Sequence, residues 1–119
     1  MVRKLQKADI DRVADIWLDT NLKAHDFISA QYWKRNFKLV KEMLLQAEVY
    51  VYESDQKIQG FIGLNNDYIE GIFVSDKMQS QGIGKILLND TKDKRNELRL
   101  NVYRKNTRAI SFYKREGFE

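Results

Sequence analysis

The chain has 119 residues, of which 43% are apolar and 32% charged. That is the make-up of one ordinary globular domain, taken to be 1–119. It contains no cysteine, which excludes a disulfide scaffold, a thiolate metal site and a cysteine nucleophile. A net charge of +4 admits an anionic cofactor, an acidic partner or nucleic acid, and equally a merely solvated surface. No apolar run is long enough for a bilayer, so the expectation is a cytoplasmic protein with no membrane partner.

Val2 to Gln6 reads as a first strand. Asp9 is placed to cap a helix. Ile10, Val13, Ala14, Trp17 and Leu18 follow at helical spacing. His25-Asp26-Phe27-Ile28 is a short connection. Ser29 is placed to cap a second helix with Trp33, Phe37, Val40 and Leu44 on one stripe. Three strands are expected next, over Val49–Tyr52, Ile58–Leu64 and Tyr68–Val74. The short turns Asp55-Gln56-Lys57 and Asn65-Asn66-Asp67 make them an antiparallel meander. Gly71 interrupts the third and marks a bulge. A helix from Ile83 to Lys94, a strand from Leu98 to Tyr103 and a right-handed crossover between the strands follow. Asn106 caps a last helix containing Ala109, Ile110 and Tyr113, and Gly117 closes it. The order is β-α-α-β-β-β-α-β-α: a mixed α/β (α+β) domain.

The stretch Tyr68–Leu88 carries the chemistry. A strand runs into Gln79-Ser80-Gln81-Gly82-Ile83-Gly84, where a helix begins. Unpaired amides and the helix dipole make such a turn an anion site. A P-loop needs a glycine where Gln79 stands and Ser or Thr where Ile86 stands. A dinucleotide fingerprint needs a third glycine where Leu87 stands. Both are disfavoured, which leaves Q-x-x-G-x-G.

This motif resembles the signature of the GNAT superfamily of acetyl-CoA-dependent N-acetyltransferases. A second segment, Asn106 to Phe118, is similar to the family's N-x-x-A-x-x-F-Y-x-x-x-G-F element. VYRKN at Val102–Asn106 resembles its end of strand five. His25-Asp26-Phe27-Ile28 with Tyr32-Trp33 is similar to a bacterial subgroup acting on small amines or proteins. The resemblance implies that the pantetheine arm of acetyl-CoA pairs with Ile72, Phe73 and Val74. It implies that the pyrophosphate sits on Gln79, Ser80, Gln81, Gly82, Ile83 and Gly84, that Lys85 lies near the adenosine phosphates, and that Asn106 touches the pantetheine. Tyr113 would be the general acid, donating to the departing thiolate. A strand-four N–H near the bulge would serve the carbonyl oxygen. Glu70, His25 or a water chain would take the amine's proton. Phe27 and Tyr32 would line the acceptor pocket. Direct attack in a ternary complex fits the absence of cysteine.

Each residue also has a plainer reading. Glu70 suits a solvated face, His25 a capping or surface role, Tyr113 a core, and Asn106 a helix cap. The acceptor is expected to be a small-molecule or protein amine, with no metal and no nucleic acid. The alternative is a non-catalytic module that binds acyl-CoA or a partner on the same fold. Two departures from the family pattern stand out: Asp76 replaces a frequent proline, and the two strands usual after Phe118 do not follow. The expectation is a C-terminally truncated version of the fold, whose exposed strand five favours a homodimer.

Overall fold

The computed structural model describes residues 1–102 and 104–118. It contains β1 (Val2–Lys4), α1 (Ile10–Ala24), α2 (Ala30–Arg35), α3 (Phe37–Leu44), β2 (Glu48–Ser54), β3 (Lys57–Asn65), β4 (Tyr68–Val74), α4 (Ile83–Lys94), β5 (Arg99–Leu100) and α5 (Thr107–Arg115). Five strands form one sheet in the order β1-β2-β3-β4-β5. The first four are antiparallel neighbours, and β5 runs parallel to β4, pairing Tyr68 with Arg99 and Ile69 with Leu100. The expected meander and parallel crossover are both present.

Alternation along the strands sorts the core into two layers. Val49, Val51 and Phe61 face α1 and α3, where Val13, Ala14, Ile16 and Leu44 are buried against them. Ile62, Leu64 and Ile69 face the other way and pack on Ile83, Leu87 and Leu88 of α4. Phe112 and Phe118, in and just after α5, join this second layer. The sheet is thus sandwiched, and α4 and α5 share one face.

Several expectations change in detail. Asp9 does not cap α1 through its side chain. Its carboxylate instead accepts the Gln6 N–H (2.8 Å) and pairs with Arg3 at 2.8 Å. Arg3 also reaches Glu53 at 3.0 Å, so this network clamps the meander's edge to the start of α1. Arg3 holds the Asp9 carboxyl below the usual carboxylate range. Ser29 does cap α2, accepting the Gln31 N–H at 3.2 Å. The second helix is two helices, broken at Asn36, whose Nδ2 donates to the Tyr32 carbonyl at 2.7 Å. Side chains bonding back to the preceding turn bend or end a helix in this way. The last strand is shorter than expected: β5 is Arg99–Leu100, Val102 lies beyond it, and Tyr103 lies outside the described residues. Arg99 is paired to Asp67 at 2.9 Å.

The bulge in β4 is real. Gly63 pairs with Gly71, and the next partners are Leu64 and Ile69. The extra residue is therefore Glu70, with Gly71 beside it.

Candidate active site

β4 ends at Val74, and one 3-10 turn (Asp76–Met78) leads to the glycine segment. Gln79 turns its side chain back, and its Nε2 donates to the Val74 carbonyl at 3.1 Å. The loop is pinned to the strand by the same residue that opens the motif. Ser80 holds φ at 65°, in the left-handed region that residues other than glycine enter infrequently. Gly82 follows at φ 85°, as the cap residue of α4. Only glycine takes that conformation without strain. A side chain at Gly82 would meet nothing within 4 Å, so the mouth of the turn is open. The first helical bond joins the Ile86 N–H to the Gly82 carbonyl at 3.0 Å. The amides before it open the helix without an intrahelical acceptor. This cradle fits an anionic phosphate group.

Gly84 also has a packing task. A Cβ there would lie 3.4 Å from the ring of Phe112. Its bareness lets α5 approach the start of α4. Arg108, on the first turn of α5, donates to Ser80 Oγ at 3.0 Å. The two motifs are therefore built together at Gly84–Phe112 and Ser80–Arg108. Lys85 points from the first turn of α4 into solvent. On the other flank, Lys23 from α1 pairs with Asp76 at 3.0 Å.

Tyr113 is 8% exposed. Its ring meets Phe112 and Phe118 edge-on, with centroids 5.2 and 5.5 Å away. Phe118 is fixed by a glycine cap: its N–H reaches the Tyr113 carbonyl (3.0 Å) and the Gly117 N–H reaches Lys114 (3.2 Å), the Schellman arrangement. Burial pushes the Tyr113 hydroxyl up to about 12, so it remains a proton donor at neutral pH. Ile72, Phe73 and Val74 are half-buried on β4 beyond the two positions where β5 pairs. Phe73 stacks on Phe61 at 4.8 Å. Glu70 is exposed at the bulge.

Asn106 caps α5, accepting the Ala109 N–H at 3.1 Å on Oδ1. Its Nδ2 lies 3.2 Å from His25 Nε2. His25 ends α1 and also contacts Asn21 Oδ1 through Nδ1 at 2.9 Å. Burial lowers its pKa below the ordinary histidine value. Its ring packs against Trp33 (5.6 Å) and Phe27 (5.7 Å), and Tyr32 meets Trp33 at 5.0 Å. Phe27 and Tyr32 are 39% and 46% exposed, and Lys105 Nζ stands 5.5 Å over the Phe27 ring. Trp33 is buried, and its indole N–H is the one buried side-chain polar atom without a hydrogen bond among the described residues. The structure thus brings His25, Phe27, Tyr32 and Asn106 into one cluster of contacts, and Gln79–Gly84 and α5 into another, with Asn106 common to both. Glu70 makes no described contact with either. The Gly84–Phe112 and His25–Asn106 contacts were not read from the sequence. Two grooves elsewhere, around Leu5–Lys7 with Leu44–Ala47 and around Arg3 with Arg12 and Glu53, take in none of these residues.

Comparison with known proteins places the chain in a family. The family model described as Acetyltransferase (GNAT) domain matches residues 46–119. Peptidyl-lysine N-acetyltransferase YiaC of Escherichia coli (strain K12) is 34% identical over 120 residues, covering 99% of this chain and 82% of that protein. The solution structure of apo-form YjaB from Escherichia coli superposes with a TM-score of 0.89 at 27% identity, covering 100% of this chain and 82% of that one. The crystal structure of the PaiA N-acetyltransferase from Thermoplasma acidophilum in complex with coenzyme A shares the fold (TM-score 0.88, 22% identity, 100% and 89% coverage). The chain belongs to the GNAT family of acetyltransferases. It is accordingly a transferase that moves an acyl group from a coenzyme A thioester to an amine, and the reading as a non-catalytic module is not favoured.

Proposed function

We propose that the acceptor is a lysine side chain of a protein or peptide, and that the turn at Gln79–Gly84 with α5 is the acetyl-CoA site. The observation that carries the site is the joint construction of the two motifs. The open, left-handed Gly82 mouth of α4 is held against the helix bearing Tyr113 by Phe112 on Gly84 and Arg108 on Ser80. Bound there, acetyl-CoA supplies an acetyl group activated as a thioester. The amides of Gln79, Ser80, Gln81, Gly82, Ile83 and Gly84 hold its phosphates, with Lys85 and Arg108 adding positive charge. Ile72, Phe73 and Val74 offer backbone partners to the pantetheine arm, and Asn106 a side-chain contact.

Tyr113 Oη gives its proton to the sulfur as it leaves. At neutral pH the phenol is in its acid form, as the role requires. A β4 N–H beside the Glu70 bulge donates to the carbonyl oxygen. Glu70, exposed and able to work through water, takes the proton that the amine must lose. Phe27 and Tyr32 present aromatic faces, which suit the aliphatic stem and ammonium of a lysine. The peptidyl-lysine activity named for YiaC supports this acceptor.

The test is a panel of lysine peptides, free lysine and simple alkylamines with acetyl-CoA, read by thiol release and by the mass of the product. Acetylation of lysine side chains in peptides above free amines is expected. Turnover only on small amines would overturn the acceptor assignment.

A further inference from the structure

One contact joins the acceptor cluster to the cofactor cluster, and its polarity can be read atom by atom. Asn21 is 4% exposed and donates through Nδ2 to the Trp17 carbonyl at 2.8 Å. That fixes its amide, so Oδ1 is the atom facing His25 Nδ1. Asn106 is fixed equally well, because Oδ1 accepts the Ala109 N–H and leaves Nδ2 facing His25 Nε2. Between an acceptor and a donor, the imidazole has one consistent form. Nδ1 carries the proton and donates to Asn21; Nε2 is bare and accepts from Asn106. The donors then run one way from the Ala109 N–H through Asn106, His25 and Asn21 to the Trp17 carbonyl. Such chains reinforce themselves. His25 and Asn106 are 81 residues apart, so the chain ties the last turn of α1 to the first turn of α5.

We propose that His25 is a positioning residue. As a neutral imidazole protonated on Nδ1, it holds Asn106 and hence the start of the helix that carries Tyr113, and a proton taken up on Nε2 undoes the tie. The second proton sets a donor against the Asn106 donor. Asn106 can answer only by turning its amide over, which removes the acceptor from the Ala109 N–H and uncaps α5. Nε2 is thus committed to Asn106 and does not serve as the base. The surrounding charges agree. The C-terminal carbonyls of α1 favour an imidazolium, whereas the N-terminus of α5 opposes it. Lys105, over the Phe27 ring that touches His25, opposes it further. Lys23 is turned to Asp76, and Asp26 is exposed to solvent. Burial tips the balance toward the neutral form. The sign follows: the tie is complete above the ordinary histidine value of 6.5 and is lost as pH falls below it toward the lowered value of the folded protein.

The consequence for turnover rests on the acetyltransferase reading; the tie itself does not. The test uses the intact chain, whose only histidine gives one imidazole signal in nitrogen-15 NMR. The expected result is the Nδ1–H tautomer at pH 8, a midpoint below 6.5, and an Ala109 amide shift that moves with that midpoint. Asn106→Ala should raise the midpoint and uncouple Ala109 from it. An Nε2–H tautomer, or an Ala109 amide indifferent to the titration, overturns the proposal. In activity, His25→Gln replaces Nε2 by an acceptor that does not titrate, so the part of the acid limb of kcat/KM that follows the imidazole midpoint should disappear. If His25 were instead the base, kcat/KM would fall by about 10²–10⁴-fold at every pH, which also overturns it. If the wild type transfers no acetyl group, the proposed function fails, and the tautomer and the Ala109 shift still decide this inference.

Discussion

Replacing Tyr113 by phenylalanine removes one oxygen atom from a side chain that is 8% exposed. The ring's edge contacts with Phe112 and Phe118 survive the change. No hydrogen bond to the hydroxyl is found among the described residues, so no partner is left unsatisfied. The hydroxyl is not among the fully buried unpaired polar atoms of the described residues, so its oxygen reaches solvent and its removal is close to neutral. The melting temperature of Tyr113→Phe should therefore match that of the wild type, and the acetyl-CoA affinity should persist. Turnover should not. Losing a positioned proton donor costs about 10²–10⁴-fold, or about 2.7–5.4 kcal/mol at 1.36 kcal/mol per factor of ten. The assay is thiol release at saturating acetyl-CoA and lysine peptide, beside calorimetric titration with acetyl-CoA. There is also a signature in pH. A phenol held neutral by burial contributes stability that is complete below its ordinary value of 10.0 and is lost as pH rises toward about 12. That alkaline limb of the melting curve should be absent from Tyr113→Phe. Wild-type turnover in the variant, or loss of cofactor binding in step with rate, would refute the assignment.

Three further outcomes follow from the contacts. Gly84→Val puts a branched side chain against the Phe112 ring, 3.4 Å from where its Cβ would stand. It should cost about 1–3 kcal/mol, read by urea denaturation, and weaken acetyl-CoA binding by separating α5 from the turn. Asn106→Ala removes the cap of α5, so it should cost about 1 kcal/mol and raise the KM for acetyl-CoA. The Asp9 carboxyl lies below its ordinary value of 3.8 because of Arg3. Its stabilising contribution is present above that value and is lost as pH falls below it toward the lowered value of the folded protein, so acid melting of Asp9→Asn should be flatter than that of the wild type.

Much of the architecture was legible because two periods carry it. Val49-Tyr50-Val51-Tyr52 alternates between the layers, and the turns at Asp55-Gln56 and Asn66 take the positive φ values that tight hairpins need. Tyr113 and Gly117 sit as their spacing implied, because a helix and its glycine cap are local. The break at Asn36 was not legible. Trp33, Phe37, Val40 and Leu44 keep one apolar stripe across it, and the interruption comes from an amide bonding back rather than from proline or glycine. Gly84 read as a phosphate glycine, and its packing against a ring 28 positions further on was not legible. Asp9 read as a helix cap, but a long-range arginine claims its carboxylate. The tie between His25 and Asn106 could not be read at all. Nothing in the local pattern of either residue points to the other, and each was taken alone.

The central claim is that the Gln79–Gly84 turn and α5 form one acetyl-CoA site. The most direct measurement is titration of nitrogen-15-labelled protein with acetyl-CoA, followed residue by residue. Binding should move the amides of Ile72–Val74, Gln79–Lys85 and Asn106 together at one affinity. The amides of β1 and of Leu45–Ala47 should stay still. No binding at millimolar acetyl-CoA, or shifts that spare Gly82 to Lys85, would contradict the account.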